Sequence, residues 1–184
     1  MNITEEVKKF VEEECKKPTA RCPEAFEFHF VPVVKYSLIL AEKLNADKEI
    51  VEISAWLHDI GSIIYKRENH HITSCEIAEK KLQELNYPSD KIEKIKHCII
   101  SHRGSKNIKR ETIEAEILAE ADALSHFDDL PGLFQTCYIY ENVKSRIDAK
   151  NSIRTKLINS YNKLSENSKK IIKPKFDAAM LLLE

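Results

Sequence analysis

Three glycines in 184 residues leave this chain little of the turn material that tight β-hairpins need. In place of hairpins stand amphipathic segments rich in Glu, Lys, Leu, Ile and Ala. Short breaks separate them, at Lys17-Pro18-Thr19, Asn45-Ala46-Asp47 and Asn86-Tyr87-Pro88-Ser89-Asp90. The fold class expected is all-α. With 42% apolar and 32% charged residues, the chain has material for a buried core and a solvated exterior. A net charge of -1 provides no general basic field, and no stretch interleaves aromatic with basic residues. Nucleic acid is therefore not an expected partner. No apolar run approaches the ~20 residues of a membrane span. The five cysteines form no C-x-x-C pair and no secretory signal opens the chain, so a reduced, cytoplasmic setting is expected.

Apolar periodicity predicts helices over about 2–15, 29–44, 48–59, 73–85, 91–102 and 111–127, with further helices from about 133 to 184. Thr4 is the expected cap of the first. Several polar residues fall on the apolar stripes. The stripe Val33, Tyr36, Ser37, Leu40, Ala41 and Leu44 reaches His29 when extended back by four residues. His58 shares a face with Val51, Ser54 and Ala55, and Asp59 follows it at the expected C-terminal end of that helix. There the helix dipole disfavours a carboxylate, so a positive partner is expected. His102 continues the line Ile95, Ile99. His97 lies about 140° around from His102 and is expected at the rim of a site or behind it. His70 and His71 precede a helix, and Asp122 lands among Leu118, Ala119 and Ala123.

Any one of these could be an ordinary core residue held by a backbone hydrogen bond. Together they place His29, His58, Asp59, His70 or His71, His102 and Asp122 on separate helices or helix starts with inward-facing polar groups. A buried aspartate without a partner is costly. Imidazoles and carboxylates that converge in this way point to a metal site.

The order His29, His58-Asp59, Asp122 resembles the signature of the HD-domain superfamily of metal-dependent phosphohydrolases. Leu57-His58-Asp59-Ile60-Gly61 matches the defining motif, and Ile117-Leu118-Ala119-Glu120-Ala121-Asp122-Ala123-Leu124 matches the closing aspartate helix. The resemblance implies an HD-like helical bundle over about 25–127. Additional C-terminal helices over about 131–184 would complete a single domain, 1–184. It implies His29, His58, Asp59 and Asp122 as ligands of one divalent cation, with His70 and His102 as ligands of a second that Asp59 bridges. His71 is the neighbouring alternative to His70. In the family a Gly-Ala stands four residues after the first of these additional histidines, and here Ser74-Cys75 occupies that place.

The implied cofactor is one or two divalent ions among Fe, Mn, Ni, Co, Zn and Mg. The implied reaction is attack of activated water on the phosphorus of a small phosphorylated molecule, a nucleotide foremost. Asp59, Lys66 and Arg103 form the expected catalytic set, Lys66 and Arg103 (with Lys106) answering the charge on the phosphoryl oxygens. Two readings compete: a di-iron oxygenase of the HD type, and a non-catalytic nucleotide-binding module. The last third carries no metal-ligand spacing and is assigned to packing, to a pocket wall or to a homodimer contact.

Overall fold

The computed structural model describes residues 2–103 and 108–184. Among them there is no strand, and the all-α expectation holds. The chain packs as two units, Met1–Ala121 and Asp122–Glu184.

In the first unit, α1 (Ile3–Lys16) is capped by Asn2 rather than Thr4: the Asn2 side chain accepts from the Thr4 amide at 3.1 Å. Its buried stripe Val7, Val11 and Cys15 packs on α3. A π-helical turn, Phe26–Phe30, runs directly into α2 (Val31–Leu44), which tolerates Pro32 because it sits in the first turn. Asn45 ends α2 in the left-handed conformation at φ 52°. Asp47 caps α3 (Lys48–Leu57) by accepting from the Glu49 and Ile50 amides at 3.1 and 3.2 Å.

Helix α3 is the centre of this unit. Ile50, Val51, Ile53, Ala55, Trp56 and Leu57 are all buried, and α1, α2 and α6 pack around them. From Ile53 to Leu57 every residue is buried, as in the core of a domain, and each large side chain buried there contributes about 1.5–3 kcal/mol. After α3 come α4 (Ile60–Ile64), α5 (His70–Glu84), α6 (Ser89–Ser101) and most of α7 (Ile113–Ser125).

Two expectations change here. The third helix ends at Leu57, not Asp59, and a separate short helix occupies part of what the sequence reads as a connection. Asp59, at φ -115° and ψ 10°, is the N-cap residue of α4 rather than the end of α3. The unfavourable dipole end foreseen for it therefore does not arise. Helix α5 also starts three residues early, so His70 and His71 lie in its first turn.

In the second unit, α8 (Leu130–Gln135) is capped by Asp129, which accepts from the Gly132 amide at 2.9 Å. A π-helical turn, Thr136–Tyr140, follows. Ser145 and Ser165 cap α9 (Arg146–Lys163) and α10 (Glu166–Leu182). Tyr161 stacks on Phe176 at 4.1 Å, and Phe127 meets Phe176 edge-on at 6.1 Å. Among the described residues no helix is long and apolar enough to cross a membrane.

Candidate metal centre

His58 ends α3 fully buried, with Nδ1 2.7 Å from the Ala55 carbonyl. A carbonyl only accepts, so Nδ1 carries the proton and Nε2 of the neutral ring holds the lone pair. The same device recurs twice. His70 Nδ1 lies 2.7 Å from the Arg67 carbonyl, and His102 Nδ1 lies 2.5 Å from the Ile99 carbonyl. In each case the partner is three residues earlier, so each helix end or start sets the tautomer of its own histidine. His29 is brought up by the π-helical turn. Phe26 of that turn stacks on Trp56 of α3 at 5.5 Å, and buried Phe30 meets the His58 ring edge-on at 5.6 Å. His29 Nε2 then stands 3.0 Å from His58 Nε2.

Asp59 lies between these rings. Its Oδ2 is 3.5 Å from His29 Nε2, while its Oδ1 is 3.1 Å from His70 Nε2, 3.4 Å from His102 Nε2 and 4.0 Å from His58 Nε2. Two groups of ligand-bearing atoms result, His29–His58–Asp59 and Asp59–His70–His102, each with its atoms within 4.8 Å of one another. Ligands at ~2.0–2.1 Å around a tetrahedral cation are themselves roughly 3.3 Å apart, close to these separations.

The donor set fits a cation for a further reason. Asp59 Oδ1 is buried and has no hydrogen-bond partner. Its nearest neighbours, the Nε2 atoms of His70 and His102, have no proton to give when the rings are neutral. A buried carboxylate oxygen facing lone pairs is a costly arrangement that a cation resolves. Burial alone would raise the Asp59 carboxyl, but positive charge and N–H donors on the imidazoles around it, His58 foremost and then His102, His29 and His70, hold it well below the usual carboxylate range; where those rings are neutral, that charge would come from a cation. It is therefore ionised, as a ligand must be.

The sequence matches the HD domain family over residues 27–126, more than half of the chain. This protein belongs to the HD-domain family. A protein of Clostridium beijerinckii with no characterised function is 38% identical over 101 residues, 53% of this chain and 62% of that protein. A tRNA (cytidine(56)-2'-O)-methyltransferase of Picrophilus torridus is 30% identical over 128 residues, 62% of this chain but 35% of the relative. In both cases the similarity spans less than two thirds of the relative.

Solved structures share the fold. The Lin1889 protein of Listeria innocua has a TM-score of 0.69 at 20% identity, covering 100% of this chain and 94% of its own. Bacillus subtilis YpgQ, solved in complex with ADP, has a TM-score of 0.66 at 17% identity, covering 97% and 92%. A predicted HD superfamily hydrolase from an uncultured Thermotogales bacterium has a TM-score of 0.58 at 19% identity, covering 92% and 91%.

Within this HD domain the structure gathers His29, His58, Asp59, His70 and His102 at one place. His71, though buried, is in neither ligand group. Asp122 opens the second unit and is half-buried there, its Oδ1 3.9 Å from Nε2 of His126. His97 is in neither ligand group and accepts from the Glu111 amide at 3.0 Å, which ties the segment before α7 to α6. Arg103 donates to the Glu68 carbonyl and so tethers the loop before α5. Lys66 lies in that loop and lines a cavity of 510 Å³ with Arg21, Tyr65, Glu68, Asn69 and Thr73. Lys106, the third cation considered, is outside the described residues.

The periodicity of the sequence gives no role to His126, although it follows Asp122 by one helical turn. Its Nδ1 lies 3.1 Å from the hydroxyl of Ser160 on α9. The turn spacing was the available signal. The identity of the partner on α9 had none.

Proposed function

We propose that this protein is a metal-dependent phosphohydrolase for a small phosphate ester or anhydride, with nucleotides as the first substrate class to examine. The observation that carries this reading is the buried, unpartnered Oδ1 of Asp59 facing imidazole nitrogens whose tautomers are set by backbone carbonyls. His29, His58 and Asp59 would hold one cation, and Asp59, His70 and His102 a second. The sequence motif alone implies Asp122 as a further ligand of the first cation. A divalent cation held there would lower the pKa of water toward neutrality and polarise a phosphoryl oxygen.

The chain's own residues supply the rest. Asp59 remains ionised and belongs to both histidine sets. The backbone bonds of His58, His70 and His102 fix the orientations of those three rings before any ligand arrives. Lys66 and Arg103 are proposed to answer the phosphoryl charge, Lys66 from its cavity beside the start of α5. That YpgQ was solved with ADP supports trying nucleotides first.

The sharing of Asp59 between two ligand groups is also what a di-iron oxygenase needs, so metal content and reaction are measured together. Purified protein loaded with Mn²⁺, Co²⁺, Fe²⁺ or Zn²⁺ is expected to release phosphate from nucleotides or sugar phosphates. His58→Ala and Asp59→Ala should abolish release. Oxygen uptake by a two-iron protein without phosphate release, or activity retained in either variant, would overturn the proposal.

A further inference from the structure

We infer that Ser74 is a positioning residue for Asp59: it caps α4 from a neighbouring helix and thereby leaves the Asp59 carboxylate for a cation. The inference rests on the metal reading above. An aspartate at an N-cap ordinarily turns its side chain back to accept from the second or third amide of its helix. Asp47 does this for α3, on the Glu49 and Ile50 amides. Asp59 holds the same position on α4 yet makes no such bond. Both amides are satisfied in other ways. The Ser62 amide reaches the Asp59 carbonyl at 2.9 Å, and the Gly61 amide donates to the Ser74 hydroxyl at 2.9 Å.

Ser74 is fully buried on α5, one turn after His70 and on the same face. One helix face thus carries both an imidazole directed at Asp59 and the hydroxyl that substitutes for Asp59 in capping. Gly61 makes the short approach possible. A Cβ at this position would lie 2.2 Å from Thr73 Oγ1, 2.7 Å from the Ser74 amide nitrogen and 2.9 Å from the His70 carbonyl.

The test separates positioning from plain structural support. Metal-free wild type, Ser74→Ala and Ser74→Cys are melted, then titrated with Co²⁺, binding being followed by equilibrium dialysis and by cobalt absorption. Without the serine hydroxyl, Asp59 is expected to rotate back and cap Gly61. Metal-free Ser74→Ala should then melt within a few degrees of wild type while binding Co²⁺ about tenfold more weakly, the usual loss when a group that orients a ligand is removed. A serine of merely structural importance gives the reverse, a lowered melting temperature with affinity unchanged. A loss of Co²⁺ affinity below threefold overturns the inference. If Ser74→Ala does not fold, Ser74→Cys, similar in volume but a weak acceptor, is judged by the same criterion. Wild type that takes up no Co²⁺ would remove the metal centre itself; wild type and variant binding alike would remove only the role of Ser74.

Discussion

His29 and His58, twenty-nine residues apart in the chain, bring their Nε2 atoms within 3.0 Å of each other. His58 is bonded through Nδ1 to the Ala55 carbonyl, so in this contact it can only accept, and His29 must donate. Asp59 stands beside both, and its buried Oδ1 accepts no hydrogen bond of good geometry. The metal-free centre therefore holds unsatisfied polar groups that a cation would satisfy. Stability is predicted to depend on metal. At a free concentration one hundred times the dissociation constant, a divalent ion should add about 2.7 kcal/mol, roughly 5–10 °C in Tm for a chain of this size. Calorimetry before and after chelation checks this, and equal melting temperatures would count against the centre.

His70 and His71 are adjacent and both buried; His70 Nε2 lies 3.1 Å from Asp59 Oδ1, and His71 is in neither ligand group. Ala substitution should separate them. His70→Ala is expected to lower metal stoichiometry or affinity by tenfold or more and to remove most phosphate release. His71→Ala should leave metal content within about twofold of wild type, at a stability cost like that of other buried side chains, roughly 1–3 kcal/mol. Metal analysis of the two variants decides, and the opposite ranking would reassign the ligand.

The sequence makes the helical class, the inward histidines and the Asp59 pairing legible because each depends on local periodicity or on a contiguous motif. Turn spacing alone carries His102 to the apolar face of α6. What it does not reveal are features made by contacts between elements. The break between α3 and α4 depends on Gly61 passing close to α5, which no local preference announces. The π-helical turn that aims His29 depends on Phe26 finding Trp56. The cap on α4 comes from a serine thirteen residues downstream of the amide it accepts from. Periodicity also overreaches in the last third: Ile147 shares a spacing with Ile153, Leu157, Tyr161 and Leu164 that predicts one buried stripe, yet it is 68% exposed at the start of α9.

Gly61 should tolerate no side chain. Of the three atoms that a Cβ would meet, one is the end of the Thr73 side chain, but the Ser74 nitrogen at 2.7 Å and the His70 carbonyl at 2.9 Å are backbone. Removing Thr73 Oγ1 cannot relieve those two. Gly61→Ala is predicted to force α4 away from α5, with a cost of about 1–3 kcal/mol or more and a loss of metal binding. Gly61→Ala/Thr73→Ala should recover neither. Denaturant midpoints and metal titration test this, and recovery in the double variant would show that the contact is only a side-chain clash.

Three of the four buried thiols predict how the fold responds to alkali. Cys15, Cys75 and Cys98 are 1%, 9% and 0% exposed, and burial pushes their thiols up from 9.0 to about 12, about 12 and about 11. Once the chain unfolds, the same thiols ionise near their ordinary value. Between these limits the unfolded state loses protons that the folded state keeps. Their contribution to stability is therefore complete below pH 9 and is lost as pH rises through 11 to 12. Each thiol lowers unfolding free energy by up to about 1.4 kcal/mol per pH unit in that window. Burial also raises the Tyr87 phenol, as does nearby Glu49, so wild type has other alkaline sensitivity. The comparison is with Cys98→Ala, which removes one thiol and retains the remaining groups. Urea midpoints measured from pH 8 to pH 10.5 should fall less steeply in Cys98→Ala than in wild type, with the two curves parallel below pH 8.5 and converging above it. Curves parallel across the whole range would mean that Cys98 ionises no more readily in the unfolded chain than in its buried place on α6.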